Sequence, residues 1–206
     1  MNKNETGRVE AFSDGVFAIA ITLLILEIKV PHVGEMAGSI DLLRGLARLW
    51  PSFFAYALSF FVLLVMWINH HELFRFIRTV DYPLLFTNGF LLLLMTFVPF
   101  PTAVLAEYLN TPSAREAVAF YNATFFITSI AYNLLFAAAA TRRRLIRPEV
   151  SDASLRRVKR AYLFGGIIYA ASVAVAFWNA IAGLALSSAL WILWTRLCYA
   201  AKESKP

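Results

Sequence analysis

Cysteine occurs once, at Cys198, so no disulfide can close within the chain. Its place in the last apolar stretch favours a packed thiol over redox chemistry. Histidine is nearly as scarce: only His32, His70 and His71 are present. Neighbours on a helix point about 100° apart, so His70 and His71 do not make the i, i+4 pair of a helical metal site. No glycine-rich phosphate loop and no Cys/His ligand set occurs either. An enzyme buried in a membrane would have to draw on Asp14, His70 or His71, and Glu72, which form no catalytic constellation. The sequence therefore points to no enzyme, no cofactor and no resident metal.

Charge is scarce as well. Only 16% of the 206 residues are charged, whereas 60% are apolar and 15% aromatic, with a mean hydropathy of +0.64. Soluble domains hold about 45–50% apolar residues, so this composition indicates an integral membrane protein. Apolar stretches recur at about 11–30, 51–70, 82–99, 117–140, 161–178 and 181–199, each near the roughly 17–25 residues that span the hydrocarbon as a helix. The expected fold is all-α, one domain over 1–206 with six transmembrane helices. An outer-membrane barrel would show alternating segments of about ten residues instead. Asp14 and Glu27 bracket the first stretch, and Ile28-Lys29-Val30-Pro31 is unlike a small-residue cleavage site, so the stretch reads as a retained helix.

The basic residues sort by side under six helices. Lys3, Arg8, Arg75, Arg78, the eight between Arg142 and Arg160, Arg196, Lys202 and Lys205 make fifteen on one side, against Lys29, Arg44, Arg48 and Arg115 on the other. The positive-inside rule then puts both termini in the cytoplasm, in a cell (plasma or inner) membrane. Because the Arg142–Arg160 run joins two spans, anionic inner-leaflet lipid is its expected partner rather than nucleic acid. The prolines at 31, 51, 83, 99, 101, 112, 148 and 206 all fall at expected helix ends or in loops, so the helices read as continuous, unlike the broken helices of many transporters. Gly165 and Gly166, with Ala170 and Ala174, read as a close-packing surface, with a hinge as the alternative. Asn122, Ser129 and Asn133, at spacings of seven and four, read as glue between helices.

Polar residues concentrate at the base of the first helix, in Arg8-Val9-Glu10-Ala11-Phe12-Ser13-Asp14-Gly15. A carboxylate and an arginine there are costly in lipid, so this helix faces protein or water. Advancing about 100° per residue from Ile19 puts Leu23 near 40°, Leu26 near −20°, and Val30 and Phe12 near 20°, in one apolar stripe. On the same wheel Asp14 falls about 140° away and Ser13 about 120° away on the other side, toward neighbouring helices. Arg8 returns to the stripe, so a cation path requires it to be paired or turned away, with Glu5 and Glu10 as candidates. Alone, an Ile and Leu stripe is a packing surface by default.

Arg8-x-x-x-Phe12-Ser13-Asp14, followed by Ala18-Ile19-Ala20-Ile21-Thr22-Leu23-Leu24, resembles the signature of the endolysosomal potassium channels of the transmembrane protein 175 family and their prokaryotic relatives. The helix count and chain length agree with one repeat of that family. The resemblance implies a potassium-preferring cation channel, a homotetramer in which four copies of helix 1 line a central pore. It implies that the FSD residues hold helix 1 against its neighbours, and that Ile19, Leu23 and Leu26 form hydrophobic constriction layers with Thr22 as a polar layer beside them. No Thr-Val-Gly-Tyr-Gly filter occurs in the chain, so a carbonyl cage is excluded. Trp67, Asn69, His70 and His71 lie at the motif's depth, with His70 or His71 the expected partner of Asp14. A proton- or ion-coupled transporter using Asp14 is the alternative, and a structural scaffold without flux a third.

Overall fold

The computed structural model describes residues 3–31, 39–141 and 143–190. Helix α1 runs Lys3–Leu23 and tightens into a 3-10 turn over Leu24–Glu27. A short amphipathic helix, α2, spans Ser39–Arg48. It is followed by α3 (Trp50–Phe76), α4 (Tyr82–Phe97), α5 (Pro99–Tyr108), α6 (Ala114–Thr141) and α7 (Asp152–Trp178). A last apolar helix, α8, covers Ala180–Leu190. Five spans among the described residues are long and apolar enough to cross a membrane, with α4 and α5 together making one of 27 residues. The sixth expected stretch begins as α8 and passes beyond the described residues, as do His32 and Cys198.

Local chemistry starts these helices where the sequence changes character. Asp81 accepts from the backbone N–H of Leu84 at 3.1 Å and caps α4, with Pro83 in the first turn where its missing N–H leaves no bond unmade. Ser151 does the same for α7 through Ser154 N–H at 3.1 Å, and Asn179 for α8 through Ala182 N–H at 3.0 Å.

Several boundaries differ from the sequence reading. Helix α2 lies outside the expected stretches, and α3 runs on to Phe76 rather than ending near 70. Helix α7 begins at Asp152 rather than near 161, so Arg156, Arg157, Lys159 and Arg160 are helical rather than in a loop. Helix α1 begins at Lys3 rather than near 11, so the whole polar motif is helical. The third span also continues through Pro99 and Pro101. Val98 keeps helical angles of −54° and −36°, and its N–H reaches Met95 O at 3.3 Å. The N–H and the hydroxyl of Thr102 both donate to Val98 O, at 3.2 and 2.8 Å. Inside lipid, ending the helix there would strand more backbone groups than the two donors that the prolines remove.

Buried polar side chains fasten the bundle behind α1. Because the Thr102 hydroxyl hydrogen is committed to Val98 O, Ser59 donates to Thr102 at 2.7 Å and Tyr121 donates to Ser59 at 3.0 Å, joining α3, α5 and α6. Tyr132 donates to Met66 O at 2.7 Å. Asn122 bonds Ser172 O and Gly183 O, and Asn133 bonds Tyr162 O. A Cβ on Gly166 would lie 3.1 Å from Ser129 Oγ, so this glycine allows α6 and α7 close approach. Asn122 and Asn133 thus take the expected glue role, whereas the Ser129 hydroxyl donates within α6 to Phe126 O at 2.7 Å and meets α7 only by packing beside Gly166.

Candidate pore-lining helix and its clamp

The two faces of α1 are chemically distinct. Thr6, Ser13, Phe17, Ala20 and Leu24 are buried, at spacings of seven, four, three and four that hold one side of a helix. That side packs on α3 and α4. Opposite, Phe12 is 67% exposed, Ile19 58%, Leu23 41%, Leu26 63% and Val30 81%. The described chain offers this stripe no cover. In the 3-10 turn, positions three apart eclipse, which brings Leu26 over Leu23 rather than to its other side. Thr22, exposed beside the stripe, donates its hydroxyl to Ile19 O at 2.9 Å, leaving the oxygen's lone pairs outward.

The buried face is held by a polar network. Ser13 donates to Val9 O at 2.8 Å and accepts from Asn88 Nδ2 at 3.0 Å. With its amide N–H so directed, Asn88 presents Oδ1 to His70 Nε2 at 2.9 Å. An amide oxygen only accepts, so His70 carries its proton on Nε2. The imidazole is fully buried, stacked on Phe74 with centroids 4.4 Å apart and tilted against Phe17 at 5.4 Å. One turn away, Trp67 Nε1 donates to Asp14 Oδ1 at 2.8 Å. Below it, His71 Nδ1 lies 3.1 Å from Glu10 Oε1, with its ring stacked on Trp67 at 6.0 Å.

A profile of the family described as the endosomal/lysosomal potassium channel TMEM175 matches residues 8–99, a segment that contains every member of this network. A potassium channel of Chamaesiphon minutus is 46% identical over 175 residues, covering 85% of this chain and 86% of that one. The chain belongs to the TMEM175 family. A potassium channel of Streptomyces collinus is 42% identical over 178 residues, covering 86% and 85%. The crystal structure of a lysosomal potassium-selective channel TMEM175 homolog from Chamaesiphon minutus superposes with a TM-score of 0.83 at 42% identity, over 95% of this chain and 98% of that one. This TMEM175 chain is accordingly a multi-pass integral membrane protein.

Within the TMEM175 motif the expected residues divide. Ser13, Asp14, Trp67, His70 and His71 meet in the network, whereas Arg8 and Phe12 stand exposed on the far side of α1. Glu10 is engaged by His71, and Arg8 forms no ion pair among the described residues, so neither Glu10 nor Glu5 takes the pairing role considered for it. The expected bond from His70 or His71 to Asp14 is corrected: Trp67 takes Asp14, because an indole N–H is a donor only and a carboxylate an acceptor. His70 turns instead to Asn88, a residue that the sequence reading passed over. A lone amide within the apolar run of α4 was the available signal, since an unpaired amide is costly in lipid.

Proposed function

We propose that the chain is a potassium-preferring cation channel that conducts passively through a hydrophobic neck formed by α1 of four subunits. The observation that carries the reading is the division of α1: one face bonded to α3 and α4, the other an exposed apolar stripe at Ile19, Leu23 and Leu26. One helix cannot enclose a pore, and a homotetramer gives that stripe a shared axis. The family and its named relatives supply potassium as the ion. Rings of Ile19, Leu23 and Leu26 gate by dewetting, and the Thr22 oxygen adds a polar layer next to them. Potassium sheds water more readily than sodium, which gives the preference its sign.

Ser13, Asp14, Trp67, His70 and His71 serve as the clamp that fixes the rotation of α1. Both termini face the cytoplasm of the cell membrane, and the basic run Arg142–Arg160 lies against anionic inner-leaflet lipid. A coupled transporter using Asp14 fits less well, because the carboxylate is bonded to Trp67 and turned off the stripe.

Purified protein in liposomes with a potassium gradient tests the reading. A passive flux that prefers potassium to sodium and needs no proton gradient supports it. A saturable, proton-dependent flux selects the transporter, and no flux selects the scaffold.

A further inference from the structure

At the end of the bundle that carries the basic loops, the segment after α3 and the segment after α6 pair backbone to backbone. Arg78 N–H donates to Leu145 O at 2.7 Å and Arg147 N–H to Phe76 O at 2.9 Å. They flank a single antiparallel bridge between the buried residues Ile77 and Ile146. Arg147 adds a bond from Nε to Ile77 O at 3.3 Å, and Arg143 holds the turn by reaching the carbonyls of Arg147 and Val150. The same segment receives the base of α1: the buried Thr6 donates its hydroxyl to Arg78 O at 3.2 Å. Arg78 is therefore shared, with its N–H on the α6–α7 loop and its carbonyl on the helix that carries the stripe.

Cations crowd this cap. Arg78, Arg143, Arg147, Arg156, Arg157 and Arg160 are all exposed. Arg143 lies 3.7 Å from Asp152, and Glu72 on α3 is taken by Arg75 at 2.9 Å. Arg78, Arg156, Arg157 and Arg160 form no ion pair among the described residues. Arg78 and Arg147 lie on the two paired segments, with Arg156, Arg157 and Arg160 on the first turns of α7. The like charges of Arg78 and Arg147 oppose the pairing, and a phosphate bound between them removes that opposition. The cap joins the end of α3, the end of α6 and the start of α7, so it lies at the level of lipid headgroups.

Resting on the channel reading above, we infer that phosphate headgroups of anionic lipids bind this cap and regulate conduction, by tightening the Ile77–Ile146 bridge and, through Arg78 and Thr6, the seat of α1. Lipid is the source because the basic side chains surround the ends of membrane spans.

The test measures potassium flux in vesicles of phosphatidylcholine with and without phosphatidylglycerol, using a potassium ionophore to report the surface-potential effect common to any carrier. The wild-type ratio exceeds the ionophore's by roughly threefold or more. R156Q/R157Q lowers that ratio, and T6V abolishes it with flux in neutral vesicles kept, while T6S, which retains the hydroxyl, restores it. Amide exchange at residues 3–8 slows in anionic nanodiscs for the wild type and T6S but not for T6V. A wild-type ratio equal to the ionophore's, or T6V and R156Q/R157Q ratios equal to wild type, overturns the inference and leaves the channel reading intact. Reproduction of the effect by inorganic phosphate on neutral vesicles overturns the lipid assignment. Absence of flux in every vesicle contradicts the channel reading and this inference with it.

Discussion

Trp67 donates its indole N–H to Asp14 at 2.8 Å, and that bond fixes the rotation of α1 because Asp14 and Ile19 occupy opposite sides of the helix. Replacing Trp67 with Phe removes the only donor of the ring and leaves the Asp14 oxygen unsatisfied, a loss of about 1–3 kcal/mol. Asp14→Asn keeps an acceptor for Trp67 and loses less. Thermal midpoints in detergent should fall clearly for W67F and by a smaller amount for D14N. The channel reading also predicts that D14N still passes potassium without a proton gradient. Loss of all flux in a folded D14N protein would favour the transporter.

Asn88 serves two partners at once, so its replacement is felt twice. Asn88→Leu leaves the His70 N–H without its acceptor and takes the amide donor from Ser13. Interhelical hydrogen bonds in membranes average about 0.6 kcal/mol and reach about 1.7, so N88L is expected near or above the upper figure. Ser13→Ala in the N88L background should then cost less than in the wild type, because one bond is counted in both. Strictly additive losses in a double-mutant cycle of thermal stability would separate Ser13 from Asn88.

The glycines divide by what surrounds them. A Cβ on Gly183 would sit 2.9 Å from both the backbone Cα and the Cβ of Ala176, so Gly183→Ala forces α7 and α8 apart at a cost of about 1–3 kcal/mol. A Cβ on Gly7 meets nothing within 4 Å, in a helical position, so Gly7→Ala should stabilise by roughly 0.5–1 kcal/mol. The two midpoints shifting in the same direction would contradict the packing described.

Much of this arrangement is legible in the sequence, for reasons that single residues make plain. The wheel separated Ser13 and Asp14 from Ile19 correctly because α1 keeps α-helical geometry from Lys3 to Leu23. It put Leu26 in the stripe, where Leu26 is indeed exposed, but on the wrong side of Leu23, because the 3-10 turn advances each residue further. Pro99 and Pro101 looked like an end, since sequence records the missing donors but not the Thr102 hydroxyl that covers Val98 O. The meeting of Ser13 with Asn88, 75 residues apart, depends on which spans lie side by side, and no local pattern encodes that.

Arg8 also carries a prediction. It is exposed, on the stripe side of α1, and a ring of such charges at a pore mouth repels cations at low ionic strength. Arg8→Gln should therefore raise potassium conductance in dilute salt, with the gain fading as salt rises. A gain independent of salt would point to a change in packing instead.

The central claim is that ions pass the plain apolar stripe and not the polar motif beneath it. Single-channel recording of Ile19→Asn in planar bilayers tests this most directly. A polar ring in place of the isoleucines wets the neck, so the account predicts a larger conductance and a weaker preference for potassium over sodium. Unchanged conductance and selectivity in that variant would remove Ile19 from the ion path and contradict the account.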